Sequence, residues 1–150
     1  MTDFYRMREL IRDEERLRWS IEKQMARATK TTISISKSGG GGGGKTGSQV
    51  EDGAIIIAAM KDEQREMLEE LKEARKELRA GLAMVSNRKL GIGKTFIRMR
   101  YMKGIKVSVI AEKMNYSDKY IHRILRRSEA LINKAQGVSE TRKKKDTSVE

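Results

Sequence analysis

Few side chains in this chain are of the kinds that break bonds or hold metals. Its 150 residues include no cysteine and a single histidine, His122. Thiolate catalysis, disulfide frameworks and zinc sites built on cysteine or on several histidines are therefore excluded, and no metal or cofactor is expected. No nucleophile or carboxylate pair is placed with His122, so its expected role is that of a surface histidine near phosphate rather than a general base. The stretch from Gly39 to Thr46, GGGGGGKT, satisfies the phosphate-cradling pattern G-x-x-x-x-G-K-[ST]. Six consecutive glycines followed by Lys45 and Thr46 meet that pattern by composition alone. A working phosphate loop needs a buried strand before it and a helix whose N-terminus faces the phosphate. Here GSQVEDG follows and no sheet core is in sight, so no enzyme is expected. A second fragment, Gly91-Ile92-Gly93-Lys94-Thr95, lacks the earlier glycine and reads as a hinge.

Positive charge is the chemistry this chain has in quantity. Lysine and arginine number 33 against 21 acidic residues, a formal charge of +12. The excess is not spread evenly: residues 1–87 hold 16 basic and 15 acidic side chains, whereas residues 88–150 hold 17 and 6. A near-neutral first part joined to a strongly basic second part suggests that assembly and polyanion binding are separated along the chain.

Within the basic part, residues 107–114 read as a short helix, 115–117 as a tight turn and 118 to about 134 as a longer helix. Ile110, Ala111, Met114, Tyr116, Ile121 and Ile124 fall where a helix-turn-helix needs core contacts, and Ala111 is small, as close helix approach demands. Ser117 can cap the second helix, and Asn115 tolerates a left-handed turn conformation. At 100 degrees per residue the second helix turns Ile121, Ile124, Leu125, Ser128, Leu131 and Ile132 inward. Lys119, Arg123, Arg126 and Arg127 then project outward, with Tyr120 and His122 at the margins. Side chains early on such a helix can reach guanine edges in a major groove, and later ones meet phosphates. Lys119, His122 and Arg123 are therefore assigned to base or groove contact, and Arg126, Arg127 and Lys134 mainly to the backbone.

The elements that must position this face are helical. Proline is absent, and apolar residues from Phe4 to Ala28 recur at helical steps through Met7, Leu10, Ile11, Leu17, Ile21 and Met25. Residues 29–53 lose the pattern: TTISIS could make a brief extended segment and the Gly/Ser-rich stretch is flexible by composition. A second long helix, about 54–85, carries Met60, Gln64, Met67, Leu71, Ala74, Leu78, Gly81 and Val85 at alternating steps of four and three, a heptad seam. Two partners fit that seam: the first helix folding back as an antiparallel hairpin, or the same helix of another subunit. Trp19 lies among charges, where packing on the second helix and a partner hot spot are both open readings. The fold expected is all-α: a helical arm over 1–87 with its loop at 29–53, a basic helix-turn-helix domain over 88–136, and a disordered charged tail over 137–150 whose RKKK run (142–145) could add phosphate contact.

The segment FIRMRYMKGIKVSVIAEKMNYSDKYIHRILRRSEAL (96–131) resembles the fourth-region helix-turn-helix of bacterial sigma factors, through Arg100-Tyr101, Gly104, Ile110-Ala111, Met114, Ser117, Ile121 and Ala130-Leu131. The whole layout is similar to the RinA- and ArpU-like phage transcriptional regulators: N-terminal helix, Gly/Ser-rich loop, long charged helix, then "RYM…IAEKMNYSDKYIHRI". Lys106 and Val109 depart from the sigma-like pattern, where a capping Ser or Thr and an acidic residue are usual. The resemblance implies a phage or prophage regulator of late or packaging genes that binds double-stranded DNA, with host RNA polymerase as a candidate partner and homo-oligomerisation through the arm. A phage small terminase subunit, which joins the same motif to helical assembly elements, is the alternative. The longest apolar run, Ala54 to Met60, is far short of the roughly 20 residues a bilayer span needs. With no apolar leader in MTDFYRMRELIRDEERL, a cytoplasmic, nucleoid-associated protein without membrane contact is expected.

Overall fold

The computed structural model of the chain describes residues 1–37 and 46–147, with side chains described for 1–29 and 51–137. Among the described residues there are helices and turns but no strand, so the chain is all-α as its sequence predicts. The helices are α1 (Phe4–Lys37), α2 (Thr46–Met84), α3 (Asn87–Leu90), α4 (Gly93–Ile97), α5 (Val107–Met114) and α6 (Asp118–Thr147), with a π-turn (Arg98–Met102) continuing α4. Among the described residues no helix is long and apolar enough to cross a membrane.

Each long helix exceeds its sequence-based limits. TTISIS is helical and not extended, because threonine and isoleucine cost only about 0.5 kcal/mol each in a helix that is already propagating. α2 begins at Thr46 rather than near 54. Of the expected loop at 29–53, residues 29–37 and 46–53 are helical, and 38–45, with the glycine run and most of its phosphate-loop pattern, lie outside the described residues. α6 passes the limit near Lys134 and runs through most of the 137–150 segment expected to be disordered. No proline interrupts it, and cations near a helix C-terminus are favoured by its dipole.

The chain divides into two compact units: one joins Met1–Ile11 to Leu71–Glu150, the other is Arg12–Glu70. The boundary read after Asn87 is therefore not the boundary of packing. In the second unit, Gln64 donates to Glu14 (3.1 Å), which also takes Arg18 (3.2 Å). The seam positions Met60, Gln64 and Met67 are half-buried there. This is the antiparallel fold-back of α1 on α2. Trp19 does not pack on α2: it is 63% exposed, with the Lys23 ammonium 5.0 Å from its ring centre.

In the first unit the seam is fully used. Leu71, Leu78 and Val85 are buried, as are Phe4, Met7, Leu10 and Ile11 from the start of α1. The amino group of Met1 meets Glu77 at 2.9 Å, which again sets the start of α1 against the end of α2. Ser86 caps α3 by accepting from the Lys89 amide. Two glycines mark close approaches to α6. A Cβ on Gly81 would lie 2.6 Å from Gln136 Nε2 and 2.8 Å from Ile132 Cγ2. A Cβ on Gly93 would overlap Ser128 Oγ and come within 3.3 Å of Ile124 Cγ2. The fragment expected to be a hinge is thus a packing contact at Gly93, with Gly91 alone taking a positive φ of 53°.

Candidate nucleic-acid interface

The site is assembled from α5, its turn and the first half of α6. Gly104, at φ 67°, breaks the chain after the π-turn, and Lys106 opens α5 without a side-chain cap. α5 ends at Asn115, which takes the left-handed conformation (φ 57°, ψ 41°) and donates its amide to Ala111 O. A short polar side chain tolerates that region far better than a β-branched one. Ser117 Oγ then accepts from the Tyr120 amide at 3.2 Å, satisfying one of the donors that the start of α6 leaves open. Both turn residues do what their chemistry predicts.

Behind the face, Ile110, Ala111, Ile121, Leu125, Ser128 and Ile132 are buried, and Met114, Ile124 and Leu131 are half-buried. Tyr116 is the exception among the expected core residues, being 39% exposed. It stacks on Tyr120 with ring centres 5.0 Å apart and meets Phe96 edge-on at 5.8 Å. An apolar-looking spacing has here placed an amphipathic ring at the rim of the core.

Seating of α6 depends on polar contacts that no local pattern announced. Tyr101, almost fully buried, donates its hydroxyl to Glu129 of α6, and Arg8 of α1 reaches Tyr101 Oη at 2.8 Å and Glu129 Oε1 at 3.2 Å. Burial, then the hydrogen bond and charge of Glu129, push the Tyr101 hydroxyl well above the ordinary phenol range. For Arg8, burial opposes the charged form, but Tyr101 and Glu129 outweigh it and the net shift is upward. Gln136 accepts from the Thr2 amide (2.7 Å) and hydroxyl (2.9 Å) and donates to Glu77 O (3.2 Å). Arg75 caps the Tyr101 carbonyl at 2.9 Å, a group left open because Ile105 N bonds to Met99 O instead.

One consequence is electrostatic. Glu129 is the only acidic residue of α6 between Asp118 and Glu140, and its carboxylate is turned toward Arg8 and Tyr101. Lys119, His122, Arg123, Arg126, Arg127 and Lys134 are all exposed, and Tyr120 is half-buried. Ser117, Lys119, Tyr120, His122, Arg123 and Arg126 line one open concavity of about 740 Å³. Arg123 lies over the Tyr120 ring at 5.4 Å. Arg127 and Lys134 are not brought into this concavity; they continue the same outward side farther along the helix. Among the described residues no three acidic or histidine side chains gather as a metal-holding group. The chain matches no protein-family model, no curated protein and no solved structure.

Proposed function

We propose that this chain is a sequence-specific double-stranded DNA-binding protein without catalytic activity, with α5, the 115–117 turn and α6 serving as its helix-turn-helix. The observation that carries the reading is the outward side of α6: Lys119, Arg123 and Arg126 are exposed around one concavity, while Glu129, the one acid of α6 between Asp118 and Glu140, is turned away to Tyr101 and Arg8. A rod about 10–12 Å across with such a face fits a major groove about 12 Å wide. Lys119, His122 and Arg123, on the first turns, read base edges. Arg126, Arg127 and Lys134 hold phosphates and set register. The Tyr120 ring beneath Arg123 limits the rotamers of that guanidinium, which lowers the entropy lost when it docks.

The resemblance to RinA- and ArpU-like regulators extends the reading to phage or prophage transcription, with host RNA polymerase as a partner and the arm pairing subunits. Selection of bound sequences from a random duplex library, followed by salt titration of the chosen site, tests it. A defined consensus is expected, with affinity falling steeply as salt rises. Equal recovery of all sequences, or unchanged binding after Lys119, Arg123 and Arg126 are replaced together by alanine, would refute it. Mass in solution separates the regulator, a dimer, from the packaging alternative, a closed ring.

A further inference from the structure

A second concave surface lies in the same unit but is built from other residues. The end of α2 contributes Arg79, Leu82 and Ala83, α4 contributes Lys94, and the π-turn with the residue after it contributes Arg98, Met102 and Lys103; together they enclose about 510 Å³. Four of these side chains are cationic and none is acidic. Lys94 donates to the neutral Asn87 Oδ1 at 2.7 Å, and among the described residues Arg79, Arg98 and Lys103 are in no ion pair. Lys72 and Lys76, both exposed, extend the same side of α2 by two turns, at three- and four-residue steps from Arg79.

The backbone is shaped to make this surface. The Lys103 amide reaches back five residues to Arg98 O at 3.1 Å, so the helix widens by one residue where the cleft forms. That widening lets Tyr101 enter the core while Arg98, Met102 and Lys103 share the opposite side. π-turns of this kind carry a cost in stability and recur at functional sites. On α4, Gly93, Phe96 and Ile97 are buried, with Gly93 against α6. Lys94 and Arg98 are rotated by 100 to 140 degrees from Gly93, so the cleft does not share the face on which α6 sits.

We propose that this cleft docks an acidic segment of a partner protein that carries an apolar side chain between its carboxylates. Four lining cations, three in no ion pair among the described residues and one on a neutral amide oxygen, select for negative charge. The lining of Leu82, Ala83 and Met102 between them selects for an apolar anchor, which a bare phosphate lacks. Methionine and arginine are enriched at protein interfaces, and methionine adapts its shape to what it meets. The proposal does not rest on the DNA reading, since no residue is shared.

The test is anisotropy of a labelled peptide in which leucine and phenylalanine recur at helical spacing among glutamates, titrated with the full chain. The controls are the same peptide with serine for each apolar residue, and a labelled duplex. Arg98→Glu with Lys103→Glu should weaken the apolar-acidic peptide about tenfold or more, with the melting profile and duplex affinity retained. Lys119→Glu with Arg123→Glu should leave the peptide bound and abolish duplex binding. No binding of the peptide, equal binding of the serine control, or equal loss in both variants would overturn the proposal. A parallel fall in duplex affinity in the first variant would also overturn it, by assigning the cleft to DNA.

Discussion

The contact between Gly93 and Ser128 is the point at which the small helices hold α6, and it can be tested by adding one methyl group. In Gly93→Ala the new Cβ overlaps Ser128 Oγ, which donates to Ile124 O at 2.8 Å in a nearly solvent-free setting. Either the helices separate, an overpacking cost of about 1–3 kcal/mol, or the hydroxyl rotates and gives up a buried hydrogen bond, about 1–3 kcal/mol. The gain in helix propensity offsets at most about 1 kcal/mol, and less at the first residue of α4. Ser128→Ala removes the obstructing oxygen at a cost of about 0.5–1.5 kcal/mol. The Cβ at 93 then faces Ser128 Cβ and Ile124 Cγ2 at 3.3 Å, tight but short of a clash. A double-mutant cycle by urea denaturation should therefore show a favourable coupling of about 1–2 kcal/mol, the double variant being more stable than the sum of the singles predicts. Coupling within about 0.5 kcal/mol of zero would mean that α4 and α6 do not meet here.

On the DNA side, Arg123→Ala should cost about 1–3 kcal/mol and relax preference at one base pair, read by binding to single-base variants of the selected site. Arg127→Ala should weaken all sequences alike and flatten the salt dependence by about one unit. In the core, the Tyr101 phenol is held above its unfolded value of about 10. Its contribution is complete below about pH 10 and is lost as pH rises from there toward the folded value. The stability advantage of the wild type over Tyr101→Phe, measured by denaturant melts, should accordingly shrink above about pH 10; a constant difference would contradict the burial and the Glu129 hydrogen bond that hold the phenol protonated. At the turn, Asn115→Val should cost about 1–2 kcal/mol while Asn115→Gly stays within a few tenths, and equal effects would place φ at residue 115 outside the left-handed region.

What could be read in advance divides along physical lines. Contacts close in sequence left a signature: the 4–3 seam through Leu71, Leu78, Gly81 and Val85, the left-handed tolerance of Asn115, the cap at Ser117 and the outward set on α6. Contacts distant in sequence left none. Arg8 and Glu129 are 121 positions apart and Thr2 and Gln136 are 134 apart, and no single chain encodes that pairing locally. Tyr116 was misplaced because spacing counts an aromatic ring as apolar and ignores its hydroxyl. The π-turn has no period of its own. Its one sequence mark is Gly104, two residues after it, which also made the break before α5 legible.

The division by charge and the division by packing do not coincide, for a more general reason. Net charge reports which ligand a segment attracts, not which segments pack together, and the jump in charge after Asn87 falls inside one compact unit. The basic unit in fact draws on both ends of the near-neutral part. Phe4, Met7, Leu10 and Ile11 are buried against it, as are Leu71, Leu78 and Leu82. Each such side chain contributes about 1.5–3 kcal/mol, so the four from α1 alone account for about 6–12 kcal/mol, comparable with the whole stability of a typical domain at about 5–15 kcal/mol. Arg8 also leaves Tyr101 and Glu129 without their cation when α1 is removed. A fragment beginning at residue 88 should therefore lack a cooperative thermal transition and bind duplex only weakly and without sequence preference. Restoring residues 71–87 and joining 1–11 through a flexible linker should recover both properties. A cooperative melt and full specificity in the short fragment would show that α6 is seated by α3 to α5 alone, and that the amino-terminal contacts are dispensable to the reading face.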